Sequence, residues 1–130
     1  MGAACTIGER PVRLVLATLF SFWLIAPVSA AELVMVSTRG CSYCMAWERE
    51  VGVAYPRSAE ASRAPLRHVD FRDAKSLPVE SPVRYTPTFI LIDEGRERGR
   101  ITGYHDASMF WGLLGGLLAN LGPAPAETGE

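Results

Sequence analysis

The stretch ELVMVSTRGCSYCMAW, residues Glu32 to Trp47, decides how this chain is read. Its first part, Glu32 to Ser37, is a short apolar run rich in valine, as expected of a strand buried in a sheet. Arg39-Gly40 ends the run. Two cysteines follow, Cys41 and Cys44, with Ser42 and Tyr43 between them. Beyond Gly40 the spacing becomes helical: Cys44, Trp47, Val51 and Ala54 recur at i, i+3, i+7 and i+10, which is one helix face. The expected unit is a strand, a turn and a helix opening near Cys41 and ending near Tyr55, before Pro56.

A cysteine pair at this spacing has three chemical uses. Disulfide exchange needs an accessible thiolate and a second thiol close enough to resolve the mixed disulfide. Cys41, at the start of the helix, meets unpaired backbone N–H groups and the positive end of the helix dipole, which depress a thiol pKa. Cys44, one turn on, shares the buried face with Trp47. The expected roles are Cys41 as nucleophile and Cys44 as resolving thiol. Gly40 lets a partner backbone approach, and Arg39 adds positive potential. A passive staple is the second use, but closing so short a loop removes little entropy from the unfolded chain. The third is a metal site. Structural zinc takes four ligands, and His68 and His105 do not stand at usual zinc spacing. A two-thiolate copper(I) site stays open, because soft sulfur suits that ion.

Chain context narrows these options. The 130 residues carry a formal net charge of −1 with acidic and basic residues interspersed, so no nucleic-acid partner is expected. Arg10 and Arg13 precede an uncharged run, Leu14 to Ala26, and then PVSA with small residues Val28 and Ala30. That is the pattern of a cleaved secretory leader, expected over residues 1–30. The run is shorter than the roughly 20 residues of a spanning helix. Cys5 would leave with it, so Cys41 and Cys44 remain as the one thiol pair in an exported, oxidising setting. One domain is expected over residues 31–121, and a tail over 122–130.

Further along, Leu66 to Phe71 reads as a second strand, after a loop or frayed turn over Ser58 to Pro65. Arg72 to Thr86, with Pro78 and Pro82, reads as a long connection with one short helical turn. TFILI, Thr88 to Ile92, is apolar throughout, as in a central strand covered on both faces. A turn at Asp93 to Arg96 returns the chain as a more polar strand, Glu97 to Thr102, near an edge. After Gly103 a last helix is expected, capped by Asp106 or Ser108. It runs to about Asn120, with Phe110, Leu113, Leu114, Leu117 and Leu121 inward. Gly115-Gly116 in its middle costs about 1 kcal/mol per glycine relative to alanine, and close packing on the sheet would account for it. The expected class is α/β: β-α-β-short α-β-β-α, a four-stranded mixed sheet with helices on both faces and a parallel first pair.

Tyr85-Thr86-Pro87-Thr88 stands immediately before the central strand. A proline there is either a simple strand start or a cis-proline in a tight turn. Strand–CxxC–helix followed by Thr86-Pro87 before TFILI, the hairpin, Gly103 and the last helix resembles the thioredoxin-like family from Glu32 to about Asn120. The resemblance implies a thiol–disulfide oxidoreductase whose working group is the Cys41–Cys44 disulfide, with no other cofactor. It implies a cis Pro87 facing the disulfide and a groove of Gly40, Ser42, Tyr43, Thr86 and Pro87, where Thr86 offers backbone hydrogen bonds to an extended substrate. Thr86 before the proline resembles the periplasmic isomerase branch.

There are departures. Gly40 stands where thioredoxins have tryptophan, Ser42-Tyr43 replaces Gly-Pro, and Leu33 to Ser37 holds no acidic residue. The extra N-terminal strand and helix are missing. ELVMVSTRGCSYC, AYPRSAEASRAPLRHVDFRD, PVRYTPTFILIDEGRERGRITGY and FWGLL resemble, more narrowly, the small periplasmic thioredoxin-like proteins of bacterial sulfur-oxidation operons. That implies a thiol reductant; a membrane thiol donor is expected to recharge it, and with no dimerisation segment visible a monomer is expected. It would keep a protein disulfide or modified thiol of a partner reduced, the sulfur-carrier complex being the implied partner. Oxidase or isomerase activity is the alternative direction. His68, His105, Trp47, Phe110 and Trp111 are expected to be packing or surface residues, while Tyr43 and Tyr85 are expected near the groove.

Overall fold

The computed structural model describes Gly2 and residues 31–123. The leader expected over 1–30 and the tail expected from 122 lie outside the described residues, save for Gly2, Gly122 and Pro123. Four strands form one sheet: β1 (Glu32–Ser37), β2 (Leu66–Asp70), β3 (Thr88–Asp93) and β4 (Arg96–Thr102), in the spatial order β2-β1-β3-β4. β1 runs parallel to β2 and antiparallel to β3, and β4 returns antiparallel on β3. Among the described residues three α-helices accompany them: α1 (Ser42–Trp47), α2 (Ala59–Arg63) and α3 (Ala107–Ala119). This is a minimal thioredoxin-like α/β architecture.

β1 and β3 are apolar throughout because both of their faces are covered. Leu33, Met35, Phe89 and Leu91, with Ile101 of β4, meet the helical layer of Cys44, Trp47, Val51, Tyr55, Phe110, Leu114 and Leu118. Val34, Val36, Ile90 and Ile92 meet Ala74 and Leu77, with Val69, Val79 and Val83 beside them. This second face is covered by a 3-10 helix, Phe71–Ser76, and the coil that follows.

The helix after the cysteines differs from its expected form. α1 passes at Glu48 into a π-helical segment, Glu48–Gly52, and then a 3-10 turn, Tyr55–Arg57, with Pro56 in its first positions. A π turn takes more residues than an α turn. The buried positions therefore run Cys44, Trp47, Val51, Tyr55, and Ala54 is exposed. Tyr55 then donates its hydroxyl to Ala64 O (2.7 Å) and stacks on Trp111 at 5.8 Å. The segment expected to be a loop or frayed turn holds α2, capped by Ser58, whose Oγ accepts from Ala61 N. At its end Arg63 donates to Leu118 O and Gly122 O, satisfying carbonyls at the C-terminus of α3.

In α3 the cap is Asp106, whose carboxylate accepts from Met109 N. Phe110, Leu114 and Leu118 are buried, Leu117 is partly buried, and Leu113 is exposed, contrary to expectation. The close approach between α3 and the sheet is made by Gly99 of β4, where a Cβ would stand 2.5 Å from Leu117 Cδ2. Gly115 and Gly116 are exposed, and a Cβ on either meets nothing within 4 Å, so packing does not account for them. Gly115→Ala and Gly116→Ala are therefore expected to raise stability by about 0.5–1 kcal/mol each, read as a higher urea midpoint. A lower midpoint for either variant would contradict this.

Candidate active site

The cysteines sit where β1 leaves the sheet. Thr38 to Cys41 is a turn closed by Cys41 N donating to Thr38 O, and Gly40 supplies its φ of +75°. Cys41 is the N-cap of α1: its backbone is extended, and its Sγ accepts from Cys44 N at 3.2 Å. Cys41 and Cys44 are joined by a disulfide with their Cα atoms 5.2 Å apart. Cys41 is half-buried and Cys44 is buried, packed in the cluster with Trp47 and Phe89. Ser42 and Tyr43 form the exposed first turn, with Tyr43 63% accessible.

The pairing of Val36 with Thr88 carries the start of β3 to the same end of the sheet. The Thr86–Pro87 peptide bond there is cis. Pro87 is buried, and its carbonyl accepts from Gly103 N at 2.7 Å. Thr88 Oγ1 donates to Tyr85 O at 2.6 Å, which shapes the turn and leaves the Tyr85 ring exposed. Thr86 is half-buried and makes no hydrogen bond among the described residues. Gly40, Ser42, Tyr43, Thr86 and Pro87 thus lie at one end of the sheet with the disulfide. Beside Gly103 opens a shallow cleft of about 300 Å³ between the end of β4 and α3, lined in part by Ile101, Met109 and Leu113.

His68 faces Glu48 at 3.5 Å on the edge strand, and His105, against Asp106 at the start of α3, lines the cleft beside Gly103. Trp47 and Phe110 are core, as expected. Among the described residues no group of three or more His, Cys, Asp or Glu is arranged to hold a metal. Sequence reasoning missed Tyr104, which is buried one residue past Gly103 and donates its hydroxyl to the Glu50 carboxylate of the π-helical segment. Its only sequence signal is an aromatic after a glycine that ends a strand.

A thioredoxin-like domain model matches residues 30–117. The chain belongs to the thioredoxin-like family. It is a thiol–disulfide oxidoreductase carrying the Cys41–Cys44 pair. Among solved structures, the periplasmic thioredoxin SoxS of Paracoccus pantotrophus, in its reduced form, is 34% identical. It superposes with a TM-score of 0.67 over 70% of this chain and 98% of its own. The thioredoxin Mala s 13 of Malassezia sympodialis is 13% identical, with a TM-score of 0.53 over 69% of this chain and 76% of its own. Thioredoxin NaTrxh of Nicotiana alata is 21% identical, with a TM-score of 0.51 over 68% and 75%. The last two share the fold. No curated protein matches the sequence.

Burial, and then the bond to Glu50, push the Tyr104 hydroxyl pKa up to about 12 from the usual 10.0, and burial raises Tyr55 as well. Between these values the unfolded chain has lost a proton that the folded chain keeps, so stability falls as pH rises from 10.0 toward about 12. Tyr104→Phe is expected to lose less stability than the wild type between about pH 8 and about pH 11, compared as urea midpoints. Equal losses would show that Tyr104 does not carry the effect.

Proposed function

We propose that this oxidoreductase is an exported, periplasmic reductase of protein disulfides, with Cys41 as nucleophile and Cys44 as resolving thiol. The observation that carries this reading is the asymmetry of the pair. Cys41 is accessible and already faces a backbone N–H, whereas Cys44 is buried one turn behind it. Once the disulfide is opened, that N–H favours negative charge on Cys41. The likeness to a periplasmic thioredoxin and the leader pattern over residues 1–30 support the compartment.

The exchange balances as follows. The Cys41 thiolate attacks one sulfur of a client disulfide, and the client's other sulfur leaves as a thiolate. Cys44, losing its proton, attacks Cys41 Sγ and releases the second client sulfur. Of the two protons the client thiolates take up, one is that lost by Cys44 and the other comes from solvent, which received the Cys41 proton when its thiolate formed; two electrons pass from the dithiol to the client. Thr86, with free backbone groups, aligns an extended client segment beside the cysteines. Gly40, Ser42, Tyr43 and Pro87 form the rest of that surface. A membrane thiol donor would restore the dithiol. The resemblance to proteins of sulfur oxidation makes the working cysteine of a sulfur-carrier complex the first client to test, with this chain acting as a monomer.

Cys41→Ser is expected to abolish reduction of insulin, and an active Cys41→Ser protein would sink the assignment. Cys44→Ser is expected to accumulate a mixed disulfide with its client, identified by mass on a non-reducing gel of periplasmic extract. Equilibration with glutathione sets the direction. A reductase gives a potential well below the roughly −120 mV of a strong oxidant, and a value near that figure would assign oxidation instead.

A further inference from the structure

The turn that presents Thr86 is reached through Leu77 to Tyr85, which has no regular secondary structure. Leu77 is buried, and Val79 and Val83 pack on the second sheet face. These apolar contacts hold the segment against the sheet but do not fix its position along it. Thr88 Oγ1 ties the end of the segment at Tyr85 O, and the directional ties to its middle come from β4. Glu80 N donates to Glu97 Oε2 at 2.9 Å, and Arg100 Nη2 donates to Ser81 O at 2.9 Å. Arg100 in turn grips Glu97 with both arms of its guanidinium, Nη2 to Oε2 at 2.7 Å and Nε to Oε1. The Glu97 side chain is 6% exposed and that of Arg100 20%.

This clasp exists because β4 is bulged. In a regular strand, residues three apart point to opposite faces. Here Ile90 pairs with Arg100, Leu91 with Gly99 and Ile92 with Glu97, leaving Arg98 as the additional residue. Paired residues share a face, so Glu97 and Arg100 both stand on the face of Ile90 and Ile92, where the connection passes. Without the bulge one of the two would point toward α3. The pair is part-buried, and the fork of Arg100 outweighs the cost of desolvating Glu97, holding its carboxyl below the usual carboxylate range, so the clasp stays ionised and closed. Its further donor and acceptor contacts go to the Glu80–Ser81 turn.

We propose that Glu97 and Arg100 are positioning residues of the exchange site: the pair pins the Glu80–Ser81 turn to the outer strand and thereby sets where Thr86 stands when a client segment docks. This rests on the reading of Thr86 as a docking residue given above. Neither side chain takes part in the sulfur chemistry. The pair therefore governs binding of an extended polypeptide and leaves attack on a small disulfide, which needs no docking, unaffected.

The test compares insulin with dithiodipyridine as oxidant for the reduced, full-length chain. Arg100→Ala is expected to raise KM for insulin about five- to tenfold, with kcat and the dithiodipyridine rate within about twofold. Arg100→Lys keeps the charge but not the fork and recovers part of the KM. Glu97→Gln shifts KM in the same direction. Hydrogen exchange over residues 79–86 quickens in Arg100→Ala, while that of β1 and β3 does not. Unchanged KM in both Arg100→Ala and Glu97→Gln overturns the proposal, and so does an equal fall with both oxidants. An active Cys41→Ser protein overturns the reading of the site instead, and the hydrogen-exchange result then still decides whether the pair holds the turn.

Discussion

The pairing of β1 with β3 is the constraint on which the rest depends. It sets Val36 opposite Thr88, so the strand leading into the cysteines ends where the strand following Pro87 begins. A slip of one residue would turn the side chains of the slipped strand to the opposite faces. Because both faces are apolar, simple alternation cannot specify the register. Side-chain shape can. Leu33, Met35, Phe89 and Leu91, long or aromatic, face the helices, while the β-branched Val34, Val36, Ile90 and Ile92 face the other side. The helical layer is deep enough to interleave long side chains around Trp47, Phe89 and Phe110, whose rings lie 4.8–5.5 Å apart. The opposite side offers a 3-10 helix and coil, a shallow cover that short branched side chains fill. Exchanging the faces would overpack one layer and leave voids in the other.

The same aromatic cluster ties the site to the core. Trp47 lies one turn beyond Cys44 and is fully buried. It anchors the short α1 although that helix has only six residues. A helix of this length has no stability of its own in water. Its position follows from Trp47 and from the continuation through the π turn to Val51 and Tyr55. Cys44 is therefore held rigidly, while Cys41 sits at the junction of a glycine turn and the first helical N–H. The difference in freedom between the two sulfurs comes from packing, which reaches one of them and stops short of the other.

Much of this was legible in the residues. The strands follow from apolar runs of strand length, and Asp106 marks the start of α3. The positions of Cys41, Cys44, Thr86 and Pro87 follow from their places at strand ends. Most of what was not legible depends on departures from a regular period. Ala54 is the inward residue if the helix keeps 3.6 residues per turn, and the π segment makes Tyr55 inward instead. Glu97 and Arg100 sit on opposite faces of a regular strand, and the bulge unites them. Gly99 inside the strand was the one available sign of that bulge. Leu113 reads as core on the helical wheel. It lies exposed on the wall of the cleft beside Gly103.

The composition of the core also bears on the second half of the exchange. Thioredoxins keep an acidic residue in the first central strand, and Leu33 to Ser37 has none. Among the described residues the buried hydroxyl-bearing side chains are Thr88, Tyr55 and Tyr104; Trp47 Nε1–H can only donate, and the Glu97 carboxylate is gripped by Arg100 on the other sheet face. Thr88 spends its hydroxyl hydrogen on Tyr85 O. Tyr55 and Tyr104 spend theirs on Ala64 O and on the Glu50 carboxylate, and burial holds both phenols protonated. None of the three is available to accept a proton from Cys44. In the proposed exchange the base must then come from the solvent side: the thiolate just released by the client, or water beside it. The client's own leaving sulfur fits best, since it departs next to Cys41, one disulfide span from Cys44, with a thiolate's affinity for the proton that Cys44 must lose. In the proposed exchange resolution would thereby be coupled to attack, with Cys44 becoming a nucleophile once the client has supplied its base.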